Sequence, residues 1–297
     1  MTTDWKHLYR QGDAVMRLIW VNVCVFLVVS LAGLVLLLFN RPDGLLLQLA
    51  LPASFHTLAH RPWTLLTYMF LHGRFWHLFF NMLCLFWFGK ILLNYINGKQ
   101  LVGLYVFGGI MGGLMYMLCY NIFPYYAPMV DASILLGASA AIMGITVAAA
   151  MHAPDMEIRL LFIGGVKLKW IACATILISL LGITGNNAGG QLSHIGGALA
   201  GYVYTILFRH GTDMSRPFTR LFDNIANLFR RTRKPQDSSR QFHYQRPTNI
   251  NREHEANQQY SRHKAQRDAD IDAILDKIKS SGYQSLTDEE KRKLFSN

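Results

Sequence analysis

Apolar residues fill most of the chain up to Arg209 and thin out abruptly beyond it. Ile19–Phe39 carries no charge over about twenty residues, enough for a helix to cross a bilayer. Its apolar core is long and no small-x-small cleavage pattern follows, so it reads as a retained first span rather than a signal peptide. Residues 40–76 break the pattern with Arg41-Pro42, Leu51-Pro52, Arg61-Pro62-Trp63 and the histidines His56, His60 and His72. Trp63, Tyr68, Phe75 and Trp76 suit the headgroup level, which predicts a long loop lying in the interface. Five further apolar segments follow: His77–Tyr95, Leu101–Tyr120, Ser133–Met151, Leu160–Leu181 and Gln191–Phe208. The fourth of these is interrupted early by Gly164, Gly165, Lys167 and Lys169, so its membrane part is expected to start near Trp170. Gly182–Gly190 reads as a flexible glycine- and asparagine-rich loop. The pattern predicts an all-α membrane protein with six spans and a soluble helical tail.

The tail divides in two. Residues 209–267 have few apolar positions and read as a basic, disordered linker. From Asp268 onward Ile271, Ile274, Leu275 and Ile278 recur at helical spacing, Gly282 is a helix stop, and Thr287 with Glu290 is a capping-box pattern before Leu294. A small helical hairpin over 268–297 is expected to bind a cytoplasmic partner or to self-associate. The organisation is then a cytoplasmic N-terminus (1–16), a membrane domain (17–208), the linker (209–267) and the hairpin (268–297).

Charge orients this scheme. The 297-residue chain is 52% hydrophobic with a formal charge of +11. Of its Lys and Arg, 11 fall in residues 1–208 and 18 in 209–297. With the N-terminus inside, interior segments hold Lys6, Arg10, Arg17, Lys90, Lys99, Arg159, Lys167 and Lys169 plus the tail, and exterior segments hold Arg41, Arg61 and Arg74. Both termini are therefore expected in the cytoplasm. The basic tail lacks interleaved aromatics, so membrane lipids rather than nucleic acid are its expected partners. Cys24, Cys84, Cys119 and Cys173 lie within apolar runs without metal-ligand spacing, and neither a metal nor a cofactor is called for.

Polar groups inside spans are costly and point to function. Ser139 lies in Leu135-Leu-Gly-Ala-Ser-Ala-Ala-Ile-Met-Gly144, flanked by small residues that permit close approach. His194 is followed at +3 and +7 by Gly197 and Gly201, which give span six a close-packing face carrying an imidazole. Taken singly, each is a packed helix residue. Together they make a nucleophile–base pair. His77 and Asn81 stand one turn apart, and with the Ser139 backbone N–H they supply donors for an oxyanion.

These motifs resemble those of the rhomboid intramembrane serine proteases, in the six-span bacterial type with a C-terminal cytoplasmic extension. The likeness rests on His77 and Asn81 at span two, Gly137-Ala138-Ser139 at span four, and His194 with Gly197 and Gly201 at span six. It covers roughly residues 15–208. It implies a Ser139–His194 dyad, oxyanion stabilisation by His77 and Asn81, and helix-packing support by Gly137, Gly197 and Gly201. It also implies cleavage of transmembrane protein substrates near the outer face of a bacterial inner membrane. Residues 55–76 resemble the family's membrane-embedded first loop. Ala140 departs from the glycine that usually follows the serine, Met143 from an aromatic, and Thr64 from the arginine of a Trp-Arg pair.

Rival chemistries lack their residues. The acidic residues before Arg209 lie in termini or links, which leaves no aspartyl protease pair and no acidic third triad member. His56-Thr-Leu-Ala-His60 has no glutamate for a zinc protease. The remaining alternative is a weak or inactive relative that binds membrane helices without cutting them.

Overall fold

The computed structural model describes residues 13–41, 44–160, 164–220, 224, 273–274, 276–280 and 287. The chain forms two compact units, Met1–Thr232 and Arg233–Asn297. In the second, residues 276–280 are helical, within the stretch where the hairpin is expected. Residues 268–272, 275, 281–286 and 288–297 of that hairpin, including Gly282 and Leu294, lie outside the described residues, as do 221–223 and 225–267 of the expected linker.

The first unit is helical. Helix α1 (Ala14–Leu38) begins with Asp13, whose carboxylate accepts from the Met16 N–H at 3.1 Å and pairs with Lys90. Only Val15, Leu18 and Asn22 of α1 are buried. Much of its remaining surface is apolar and exposed, including Leu27, Val28, Leu31, Leu37 and Leu38. Asn22 donates to the Leu18 carbonyl at 2.9 Å, and Tyr105 donates to the Met69 carbonyl at 2.8 Å. The Asn22 amide also reaches the Tyr105 hydroxyl at 3.2 Å, so one polar cluster ties three segments together.

The interfacial stretch is less irregular than expected. It holds α2 (Gly44–Leu49), β1 (Leu51–Pro52), α3 (Phe55–His60), α4 (Thr64–Thr67) and a 3-10 turn (Tyr68–Phe70). Thr64 is buried and its hydroxyl donates to the Arg61 carbonyl at 2.7 Å, closing the turn that starts α4. Two long helices follow. These are α5 (Phe75–Leu92) and α6 (Gly98–Ile122), the latter opened by an Asn97/Gln100 capping box. With α1 they are long and apolar enough to cross a membrane.

The next segments correct the sequence reading. Span four was expected from Ser133, but Ile134–Leu135 forms strand β2, antiparallel to β1 with Leu51 opposite Leu135. Helix α7 therefore runs only from Ser139 to His152. The segment expected to open span five is a hairpin, β3 (Glu157–Leu160) with β4 (Gly164–Lys167). Helix α8 (Leu168–Leu181) starts after it. Helix α9 (Ala188–Arg209) starts three residues earlier than the predicted Gln191, inside the loop expected to be flexible.

Helix α7 is the centre of the packing. Residues 140–150 are all buried, and α7 touches α5, α6, α8 and α9. Small residues make this possible: a Cβ on Gly197 would stand 2.0 Å from the Ala140 carbonyl oxygen, and one on Gly201 2.2 Å from that of Gly144. Backbones this close gain dispersion contacts that do not depend on a hydrophobic effect. Residues beyond Arg209 also join the fold, where a linker was expected. Ser215 is buried against Gly103, and Gln100 donates to Asp213 at 3.0 Å.

Candidate active site

The strand pairing sets the nucleophile. Gly137 adopts φ +132°, and its N–H donates to the Tyr68 carbonyl at 3.0 Å. The chain then turns into α7 with Ser139 as the first helical residue. The first N–H bonded within the helix end is that of Ile142, to the Ala138 carbonyl at 3.0 Å. The N–H groups of Ser139, Ala140 and Ala141 thus have no intrahelical partner and give this end a partial positive charge.

A cavity of about 410 Å³ opens here. Trp76, His77, Phe80, Asn81 and Cys84 of α5 line it, with Leu136, Ser139, Asn187, and Gly190 and His194 of α9. Four side chains from three distant parts of the sequence therefore share one space: His77, Asn81, Ser139 and His194. Asn81 is buried and its amide nitrogen has no hydrogen-bond partner. A buried donor left unpaired costs about 1–3 kcal/mol, which a ligand oxygen would recover.

Gly137 does a different job from the helix packing expected of it. It lies before the helix, and a Cβ there would stand 2.9 Å from His77 Cε1 and 3.7 Å from the Ser139 hydroxyl. Its bare backbone leaves room for the imidazole beside the serine. Gly197 and Gly201 of α9 lie against α7, where a Cβ on either would meet the α7 backbone.

No hydrogen bond joins Ser139 to His194 among the described residues. The His194 Nδ1 instead meets the Ser179 hydroxyl of α8 at 3.2 Å. Sequence reasoning missed Ser179, although it is the one serine in the apolar run 170–181.

In the sequence His72 is one of several interfacial histidines. It is buried, edge-on to His77 with ring centroids 5.1 Å apart. Burial, reinforced by the neighbouring His77, pushes its pKa down to about 4. In an unfolded chain the value is ~6.5, so between the two the unfolded state binds more protons and stability is lost as pH falls. The apparent melting temperature in detergent is expected to drop between about pH 6.5 and 4, by at most ~3 kcal/mol of stability, and His72→Phe to flatten that dependence. A wild-type melting curve indifferent to pH over this window rules the effect out.

The model of the rhomboid domain matches residues 59–211, just over half the chain and all four cavity groups named above. The chain belongs to the rhomboid family. It is thus an integral membrane protein of a family of intramembrane proteases, which act on transmembrane substrates within lipid. Residues 255–296 match a family of unknown function (DUF6576). No curated protein matches the chain. Among the departures within the rhomboid domain, Ala140 has a structural answer. Its methyl lies where a Gly112 side chain would begin, 2.5 Å from that Cβ position, so Gly112 of α6 makes space for it. Met143 lies in a small apolar cluster with Val147 and Ala198, its sulfur 3.7 Å from the Thr175 hydroxyl.

Proposed function

We propose that this rhomboid is an active serine endopeptidase in which Ser139 is the nucleophile and His194 the general base. The observation that carries this reading is the meeting of Ser139, His194, His77 and the unpaired Asn81 amide in one cavity. His194 takes the Ser139 hydroxyl proton as the oxygen attacks a scissile carbonyl. The carbonyl oxygen, now negative, accepts from His77, Asn81 and the Ser139 N–H. The carbon–nitrogen bond then breaks, His194 gives its proton to the leaving amine, and an ester on Ser139 remains. Water, deprotonated by His194, cleaves that ester and restores the serine. The apo geometry leaves Ser139 and His194 to close their hydrogen bond around substrate.

In this reading α1 and α5–α9 are the six spans, with both termini in the cytoplasm of a bacterial cell. Helix α7 has 14 residues. At ~1.5 Å per residue it covers about 21 Å of a ~30 Å hydrocarbon core, so a nucleophile at its first position works below the outer surface. Transmembrane segments are the substrates, and the tail is a separate cytoplasmic element.

The reading is tested by reconstituting the protein in liposomes with a single-span model substrate. Cleavage blocked by a serine-directed fluorophosphonate and indifferent to a chelator is expected, and an inert wild type would falsify it. Asn81→Ala is expected to lower kcat by about 10²–10³-fold with KM little changed, because it removes a donor used in the transition state. Turnover equal to wild type would take Asn81 out of the oxyanion site.

A further inference from the structure

Helix α8 buries little of itself. Leu168, Ala172 and Ser179 are its buried residues, and with Thr175 they form one face at helical spacing. Two hydroxyls sit on that face. The Thr175 hydroxyl donates to carbonyls of its own helix, Ile171 at 3.0 Å and Ala172 at 2.9 Å. That is the usual resting place for a hydroxyl in an apolar helix. Ser179, at 2% exposure, instead meets His194 Nδ1 at 3.2 Å.

A hydroxyl can donate or accept, and the direction of this contact sets which nitrogen of His194 can act. With the Ser179 oxygen accepting, the proton sits on Nδ1 and Nε2 is left as the basic nitrogen. His77 and Cys84 are the titratable side chains that share the cavity with it, and among the described residues no carboxylate lines that cavity to orient the histidine.

We propose that Ser179 is a positioning residue for the base, the third member of a Ser139–His194–Ser179 chain. This rests on the dyad reading above and deepens it. Ser179 belongs to neither helix that carries the dyad, so the tautomer and tilt of the base depend on α8 being docked against α9. The protein therefore couples the seating of one weakly packed helix to the competence of its nucleophile.

The experiment compares Ser179→Ala, Ser179→Thr and Ser179→Val in liposomes, reading kcat and KM on a single-span substrate and the rate of Ser139 acylation by a fluorophosphonate. Ser179→Ala should lower kcat and the acylation rate together by about 10–100-fold, as expected for losing a hydrogen bond to a charged group, with KM within about threefold. Thr and Val share one shape, so any crowding by the added methyl is common to both. Thr should exceed Val by about tenfold or more in both rates. Equal rates for Thr and Val, or an Ala variant matching wild type, overturn the proposal. Ser139→Ala and His194→Ala run alongside separate the two failures: if they still cut, the dyad reading falls, and if they are dead while Ser179→Ala is normal, only the role of Ser179 falls.

Discussion

Ser139→Ala should reduce substrate cleavage by at least about 10⁴-fold in kcat while leaving the fold and KM nearly unchanged, the scale seen when a serine nucleophile is deleted. The size follows from the cavity. Among the described residues, Ser139 is the only one with a hydroxyl that lines it. Ser193 nearby is turned away, donating to the Gly190 carbonyl at 2.8 Å. Cys84 lines the same cavity and carries a thiol, so Cys84→Ala should leave cleavage intact if Ser139 is the nucleophile. His194→Ala should cost about as much as Ser139→Ala, and the double variant no more than either, because a nucleophile and its base act as a unit. Quantitative cleavage of a reconstituted single-span substrate checks all three. Cleavage by Ser139→Ala at more than a hundredth of the wild-type rate removes Ser139 from the mechanism.

What sequence reveals of this site divides along a physical line. His77 and Asn81 are legible because i and i+4 on a helix fix a shared face, wherever the helix goes. Gly197 and Gly201 are legible for the same reason. The start of α7 is not, because the pairing of Leu51 with Leu135 is two residues long and far apart in the chain. Such a strand has no periodicity to show, and an apolar run of this composition reads as helix throughout. Gly137 is misread with it: small residues near a serine suggest packing, and only the positive φ and the neighbouring His77 ring reveal its use. Ser179 is hidden because a hydroxyl in an apolar helix normally bonds its own backbone. Ala140 stands out in sequence and is resolved by a glycine on another helix, Gly112, a compensation that one chain position cannot disclose.

Gly197→Ala should both destabilise the protein and cost it most of its activity. A Cβ there would stand 2.0 Å from the Ala140 carbonyl oxygen and 2.8 Å from its carbon. Ordinary carbon–oxygen contacts are about 3.3 Å or more, so α9 must move away from α7 by roughly 1 Å. The obstacle is backbone and cannot rotate aside. Overpacking of this kind costs about 1–3 kcal/mol, visible as a lower melting temperature in detergent. The position adds a second effect. Gly197 is one turn from His194, and Ala140 is the residue after Ser139, so the same displacement separates base from nucleophile. A misplacement of about 1 Å can cost on the order of 100-fold in rate. Gly201→Ala is the informative companion. Its Cβ would meet the Gly144 carbonyl at 2.2 Å, a similar clash two turns from His194. It should lose comparable stability and much less kcat. If both variants lose activity only in proportion to stability, the Gly197 contact holds the fold without aligning the dyad. If Gly197→Ala alone loses kcat at matched stability, the glycine face of α9 fixes the register between nucleophile and base.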